Sequence, residues 1–578
     1  MKRRTFIQAS VGSLTASQIP LKAFAQTQQF RKSNILIITV DEMRFPQHFP
    51  SGKDLDWYLQ TFMPNLYSLW KKSVKFYNHH SAATYCTPAR ACMMTGLYAH
   101  QSLMLANLVI ENSTVSIGSS LPTSYPTYGK GLRELGYDTW YFGKWHLSYY
   151  PETNGLEQYG FKGGTTPDPV GGGGDAGIKE DPQIVDQFLD WFENERSKIN
   201  QPWTAVVSLI NPHDAFVWWN SQLEDPFQNR QDDKPYSLKD IPQFYDLPAE
   251  NFESIGQIGR PALHNAIESV NSIAGGAISY NEKQQQFSRQ IINIPIRNRS
   301  LNLPVTEAPF SYWLRGLDFY AYLQQQVDQQ IGRVLQAVAN EDVVIVFTSD
   351  HGDYVGSHGM RAKGGSAYRE NSHVPLIVCD FKGEYTRQPD ILRKSLTSHV
   401  DFFSLLMTIG NQGSASWLNI LPEYKILYQE RHNMFNMLVD PNANGRSYIL
   451  HTFDEPYFND SVKPHVIGVR TETGTLASYT QWNDVLSPDW QTAEYQFFDY
   501  NQPDGFLEMQ NTYGSAYGRK VQEMLISKAQ QELTAPLPLS MQADYQRLKN
   551  QYLALANVIG NTNVKWWLVR RVRHESHA

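Results

Sequence analysis

Short β-branched apolar runs, spaced apart by helical patterns, constrain this chain more than any other feature. The first run is Ile35-Leu36-Ile37-Ile38-Thr39-Val40, which shows no alternation with charged residues. A run of that kind suits a strand buried on both faces. Tyr137 to Phe142 follows a helical stretch that ends at Gly136. Trp203 to Ile210 follows an amphipathic stretch carrying Ile184, Phe188, Leu189 and Phe192. Val343 to Phe347 follows a long helical pattern through Leu323, Val327, Ile331, Val334, Leu335 and Val338, and Leu376-Ile377-Val378 comes later. Strands alternating with helices predict an α/β fold, with a large, mostly parallel central sheet flanked by helices.

A chain of 578 residues has room for a large core and a smaller second unit. The pattern changes near residue 448. Ser447 to His451, Val466 to Arg470, Ala477 to Trp482 and Tyr495 to Tyr500 are short strand candidates, and a helical C-terminal stretch follows. They predict a C-terminal α+β subdomain with a small antiparallel sheet over 447–578, behind a catalytic unit over 33–446. Residues from 218 to about 305 are rich in Gln, Asn, Asp and Pro with weak periodicity, and read as an insertion over one edge of the sheet. The four glycines Gly171 to Gly174 read as a turn, because no strand–helix context marks them as a phosphate loop. Trp218 and Trp219 read as core packing, and Trp566 to Arg571 as a docked terminal segment.

Residues 1–25 read as a targeting segment. Arg3-Arg4 precede a weakly apolar stretch from Ala9 to Pro20, and Ala23-Phe24-Ala25 offers a small-x-small cleavage site. The arginine pair and the low hydrophobicity favour a twin-arginine signal and a periplasmic or secreted protein. No other apolar run reaches the roughly 18 residues of a membrane span. Fifty basic against fifty-seven acidic side chains give a net charge of −7, which argues against a nucleic-acid partner. The cysteines are Cys86, Cys92 and Cys379, and their spacing leaves open whether any two meet.

Open α/β sheets bind ligands beyond the carboxyl ends of their strands. The polar residues just past each run are therefore the candidates. Asp41 and Glu42 follow the first run, Lys144 and His146 the second, and His213 the third. Asp350 and His351 follow the fourth, with Lys363 further on. Carboxylates of Asp41, Glu42 and Asp350 suit a hard cation such as Ca²⁺ or Mg²⁺. An imidazole at 351 tolerates softer metals too and leaves the identity open, with Mn²⁺ also possible. Lysines and imidazoles beside a cation make a site for an anionic ester.

Cys86-Thr87-Pro88-Ala89-Arg90, followed by Thr95-Gly96, resembles the signature of the formylglycine-dependent sulfatases of the alkaline phosphatase superfamily. The resemblance spans nearly the whole mature chain. Asn34 to Glu42, Gly143-Lys144-Trp145-His146-Leu147, Asn211-Pro212-His213-Asp214, and Thr348 to Asp353 with His358-Gly359 and Lys363 match further motifs in order. Arg470, Phe498-Asp499 and Glu508-Met509 resemble the family's C-terminal subdomain. Three positions bear on the common pattern: Glu42, where Asp or Gln is usual, His351, where Asn also occurs, and His373, where many relatives carry Arg.

The resemblance implies a sulfuric ester hydrolase. A formylglycine-generating enzyme would oxidise Cys86 to an aldehyde whose hydrate attacks sulfur. Asp41, Glu42, Asp350, His351 and the modified Cys86 would hold a divalent metal, Ca²⁺ first. Arg90 would hold the hydrate, and Lys363 or His213 would protonate the leaving oxygen. His146 would take the second hydroxyl's proton so that sulfate leaves, with Lys144 holding sulfate oxygens. The substrate would be a sulfated small molecule or sugar. The nearest alternative is a phosphate or phosphonate monoester hydrolase on the same site. A metal-dependent transferase and a binding protein with a decayed site are the other readings, and the intact Cys86, Arg90, Asp350, His351 and Lys363 speak against the latter.

Overall fold

The structure, a computed structural model, describes residues 30–108, 119–148, 155–165, 175–215 and 310–560, apart from 48, 51, 360–361, 455–462, 464, 485–486 and 504. The targeting segment, the Gly171–Gly174 turn, the Trp218-Trp219 pair, the 218–305 insertion and the Trp566 tail lie outside these residues.

Each apolar run forms a strand. The central sheet contains β1 (Asn34–Asp41), β2 (Val74–Lys75), β3 (Asp138–Gly143), β4 (Lys162–Gly164), β5 (Trp203–Pro212), β6 (Val343–Ser349) and β7 (Leu376–Asp380). Their order is β2-β7-β6-β1-β5-β3-β4. Strands β6, β1, β5, β3 and β4 run parallel, while β7 is antiparallel to β6 and β2 to β7. The expected mostly parallel sheet is present, and its antiparallel strands lie at one edge.

Strand β1 occupies the middle of this sheet for a reason visible in its side chains. Ile35 and Ile37 join one apolar layer, and Leu36, Ile38 and Val40 join the opposite one. Strand β6 divides likewise, with Val344 and Val346 on one face and Val343, Ile345 and Phe347 on the other. Both faces are therefore covered, as a helix-flanked parallel sheet requires. The second layer is closed by α2 (Glu180–Asn194) and α3 (Phe310–Ala337), through residues such as Ile184, Phe188, Leu323 and Val327.

Helix α1 (Cys86–Thr95) is buried along its whole length. Pro88 sits in its first turn, where a missing N–H leaves no helical bond unmade. The Thr87 N–H, one of the unpaired donors of that turn, is taken by the Asn107 side chain at 3.0 Å. Gly96 ends the helix at φ 67°, and a Cβ there would meet Tyr428, Phe403 and the Val400 carbonyl. A left-handed position so tightly enclosed calls for glycine.

The C-terminal unit is an antiparallel sheet of β8 (Ile449–Asp454), β9 (His465–Thr471), β10 (Gly474–Thr480) and β11 (Glu494–Asp499), in that order. One-turn helix α4 (Arg369–Ser372) precedes it in the chain, and α5 (Ala516–Glu532) and α6 (Leu539–Gly560) follow it. The unit docks directly behind position 86. Thr452 N–H donates to Ala82 O at 3.0 Å, and Phe453 packs edge-on against Tyr85.

Candidate active site

The carboxyl ends of β1, β3, β5 and β6 bring Asp41, Lys144, His213 and Asp350 to one rim, and the N-terminus of α1 enters there with Cys86. Asp41, Glu42, Lys144, Asp350, His351 and Cys86 are all buried. Burying so many ionisable groups is tolerable only if they are paired.

Arg90 does much of the pairing. It lies one helical turn after Cys86. Its Nη2 donates to Asp41 Oδ2 and its Nε to Asp350 Oδ2, both at 2.9 Å. Its Nη1 reaches Lys144 O at 2.9 Å and Ser208 Oγ at 3.0 Å. A planar fork spanning two carboxylates suits arginine and not lysine. Lys144 Nζ forms an ion pair with Asp41 Oδ2 at 2.8 Å. Burial alone would raise the Asp41 carboxyl, but Lys144, Arg90 and Lys363 hold it well below the ordinary range.

The opposite side of the cluster faces the sulfur. Cys86 Sγ lies 3.0 Å from Lys363 Nζ, 3.2 Å from His351 Nε2 and 3.6 Å from Asp41 Oδ1. Burial and Asp41 push the thiol's pKa up, yet Lys363, Lys144 and His351 bring it well below its usual value. Cys92 and Cys379 behave in the opposite sense: burial raises them to about 12 and about 11. All three cysteines are free thiols. Only position 86 sits where an anionic atom is welcome.

The donor set fits a cation. Ligating atoms of Asp41, Cys86, Asp350 and His351 fall within 4.8 Å of one another, and so do those of Asp41, Glu42 and His213. Glu42 Oε2 accepts from Lys363 Nζ at 2.7 Å, and the Asp353 carboxyl faces the same side chain. His351 donates Nδ1–H to Gly352 O at 2.9 Å, which turns Nε2 toward Cys86 and Asp41. A backbone carbonyl fixing one ring nitrogen in this way is the usual support of a metal-binding imidazole. Burial lowers the His351 imidazole, but Asp350 and its neighbours raise it to about 9, a measure of the negative charge collected there. Burial also raises the Glu42 carboxyl well above its usual value, and it raises Asp350, with Asp41 adding to the effect.

His213 stands at the mouth. Its Nε2 is 3.9 Å from Glu42 Oε2 and its Nδ1 3.7 Å from Asp214 Oδ1. His146 stands apart from the carboxylates. It adopts φ 51° and donates Nε2–H to Leu108 O at 2.7 Å, and its buried Nδ1 has no hydrogen-bond partner among the described residues. With Nε2 carrying that hydrogen, Nδ1 is the ring nitrogen turned away from Leu108. His373, where many relatives carry Arg, stacks on Phe45 and His80 and donates to Tyr77 O, a packing role.

Several partners carry no sequence signal. Ser208 on β5 meets Arg90. Tyr320 on α3 donates to Glu42 O at 2.8 Å and accepts from Arg44 N–H. Asp181 on α2 accepts from the N–H groups of Ile210 and Asn211, which lead into His213. A serine in a strand and a tyrosine in a helix look the same whether or not they touch a site.

A sequence model described as Sulfatase matches residues 33–411. The chain belongs to the sulfatase family. An uncharacterized sulfatase, YidJ, of Escherichia coli strain K12 is 26% identical over 370 residues, which cover 62% of this chain and 64% of that protein. The choline-sulfatase of Rhizobium meliloti strain 1021 is 26% identical over 383 residues, covering 60% and 62%. The chain thus spans a little under two thirds of these two sulfatases. A phosphonate monoester hydrolase from Silicibacter pomeroyi shares the fold, with a TM-score of 0.55 at 18% identity over 88% of this chain and 96% of that one.

Proposed function

We propose that this sulfatase-family chain hydrolyses the sulfate ester of a small molecule or sugar, releasing sulfate and an alcohol. Cys86, converted to formylglycine by a maturation enzyme, is the nucleophile's precursor. One observation carries the reading. The Cys86 sulfur is at once within the metal-capable donor set and 3.0 Å from the Lys363 ammonium. A group at that position would meet both a bound cation and the Lys363 ammonium.

Asp41, Glu42, Asp350 and His351 would hold a divalent cation, with Ca²⁺ favoured by three carboxylates. When bound, such a cation polarises ester oxygens and the atom at position 86. A hydrated formylglycine supplies one hydroxyl to attack sulfur and a second through which sulfate is released.

The remaining work falls to the side chains described above. Arg90 orients Asp41 and Asp350 and fixes the start of α1. Lys144 keeps Asp41 ionised and lies close enough to attract a sulfate oxygen. Lys363 reaches position 86 and can hold sulfate or give a proton to the leaving oxygen. His213, which retains some solvent exposure, is the second candidate for that proton. His146, with its Nδ1 turned away from Leu108 O, takes a proton late in the reaction.

Arg3-Arg4 and Ala23-Phe24-Ala25 support twin-arginine export to the periplasm or beyond. Among the described residues, no helix is long and apolar enough to cross a membrane.

The test is turnover of 4-nitrophenyl sulfate, 4-nitrophenyl phosphate and a phenylphosphonate monoester by protein co-produced with a maturation enzyme. The highest kcat/KM is expected for the sulfate. A higher value for either phosphorus ester would replace this reading with the phosphohydrolase one.

A further inference from the structure

A second buried cluster lies outside the site. Ligating atoms of His358, Glu370 and Glu508 fall within 4.8 Å of one another. Its hydrogen bonds tie together separate parts of the chain. Glu508 Oε1 accepts from Arg470 Nη1 at 2.9 Å and from Tyr500 OH at 2.5 Å, and Oε2 accepts from the Arg369 N–H at 2.8 Å. His358 turns its Nε2 to Glu370 Oε2 at 3.3 Å and stacks on Tyr368 at 3.7 Å.

These bonds join the C-terminal unit to the loop that carries Lys363. Arg470 belongs to β9 and Glu508 follows β11. The N–H that Glu508 accepts is that of Arg369, the first residue of α4. Two residues on, the Asn371 side chain clasps Gly364. Its Nδ2 donates to Gly364 O at 3.0 Å and its Oδ1 accepts from Gly364 N–H at 3.1 Å. Gly364 directly follows Lys363. The α4 backbone also presses on the metal-ligand turn, since a Cβ on Gly352 would lie 1.9 Å from Glu370 O. Helix α4 thus sits between the Asp350-His351 turn and the Lys363 loop, and Glu508 holds it from behind. Glu508 itself is wholly buried and adopts φ 54°, an uncommon conformation that persists where its surroundings enforce it.

We infer that Glu508 is a positioning residue for Lys363, acting through the Arg369 N–H, helix α4 and the Asn371–Gly364 clasp. The inference rests on the proposed role of Lys363 at position 86. Holding a long lysine side chain at one point opposes its rotamer freedom. A loosened loop therefore lowers the fraction of molecules with the ammonium in place. The loss weighs most on esters whose leaving oxygen needs the proton.

Arg369→Pro removes the one N–H in question. Proline is tolerated at a first helical position, and Tyr368 already has φ −60° and ψ 145°, the conformation a following proline favours. Arg369→Ala removes the side chain and keeps the N–H. Activity is compared on 4-nitrophenyl sulfate and on phenyl sulfate, the poorer leaving group. Arg369→Pro is expected to lower kcat on the first by about tenfold and on the second by more, with KM little changed. Arg369→Ala should stay near wild type. In a Lys363→Ala background, Arg369→Pro should cost almost nothing further, because groups acting as one unit are non-additive. Should Arg369→Pro fail to fold, Glu508→Gln enters the same cycle.

Equal losses on both substrates, or full additivity with Lys363→Ala, would overturn the inference and leave the site reading standing. A metal equivalent lost on Glu508→Gln would overturn it too, in favour of a second metal site. Full activity of Lys363→Ala alone would instead remove the site reading beneath it.

Discussion

The Lys363 ammonium lies 3.0 Å from the Cys86 sulfur, although 277 positions separate them in the chain. With Lys144 and His351 it makes position 86 the one cysteine site that favours an anion. Mass spectrometry of the peptide containing residue 86 should therefore find formylglycine after production with a maturation enzyme. Cys86→Ala should fold and bind metal, yet lose activity by at least about a thousandfold. Cys92→Ser should remain active at a cost of about 1 kcal/mol for a buried hydroxyl. An active preparation with wholly unmodified Cys86 would end the formylglycine mechanism.

Metal removal should be felt in stability as well as in rate. Asp41, Glu42 and Asp350 are buried together, and like charges at close range repel strongly. Exhaustive chelation should abolish turnover and lower the melting temperature, and Ca²⁺ or Mg²⁺ should restore both. Asp350 accepts from Arg90 Nε and from the N–H groups of Glu42 and His351, so Asp350→Asn disturbs the frame as well as the ligand. It should cost about a hundredfold in activity or more, against about tenfold or less for Glu42→Gln. Undiminished turnover in chelator would contradict the metal assignment.

Buried neutral histidines should make the fold sensitive to acid. Burial holds His79, His80 and His373 well below 6.5, and takes His399 and His451 to about 3. The unfolded chain then binds protons that the folded chain refuses. Stability is full above the unfolded value of 6.5 and falls as pH drops from 6.5 toward about 3. Each such histidine contributes up to about 1.4 kcal/mol of loss per pH unit in that window. The urea midpoint should accordingly be lower at about pH 5.5 than at about pH 7.5. A midpoint unchanged between the two would show that these rings are already protonated or hydrated in the folded state.

Export offers a separate check. Replacing Arg3 and Arg4 by lysine should leave the protein in the cytoplasm, because the twin-arginine route admits folded cargo only through the arginine pair. Cell fractionation reads the result, and N-terminal sequencing of the exported form should begin after Ala25. Unaltered export of the lysine variant would point to the general secretory route.

Much of this architecture was legible in one dimension. β-branched runs such as Ile35 to Val40 mark buried strands because both their faces must be covered, and that requirement is written locally. Asp41, Asp350 and His213 follow from it, since residues just past parallel strands share one rim. Cys86, Pro88 and Arg90 are a local pattern as well: one helical turn puts Arg90 beneath the sulfur. The sequence by itself therefore determined five of the sheet's strands, their ends and the inventory of charged groups, while the short β2 and β4 carry no apolar run.

Tertiary structure decided which charge meets which. Arg90 could have paired with any acid of the rim, and packing set it between Asp41 and Asp350, the latter 260 residues away. The same holds for His146, whose ring orientation depends on the Leu108 carbonyl, and for Ser208, which differs from other strand serines only in facing Arg90. Glu508 belongs to a C-terminal motif in sequence, but its hold on the Arg369 N–H exists only once β9, β11 and α4 converge on it. Pairing energies in a buried site fall steeply with distance and depend on how much water is excluded. Both quantities exist only once the chain has folded, so residue identity and spacing cannot carry them.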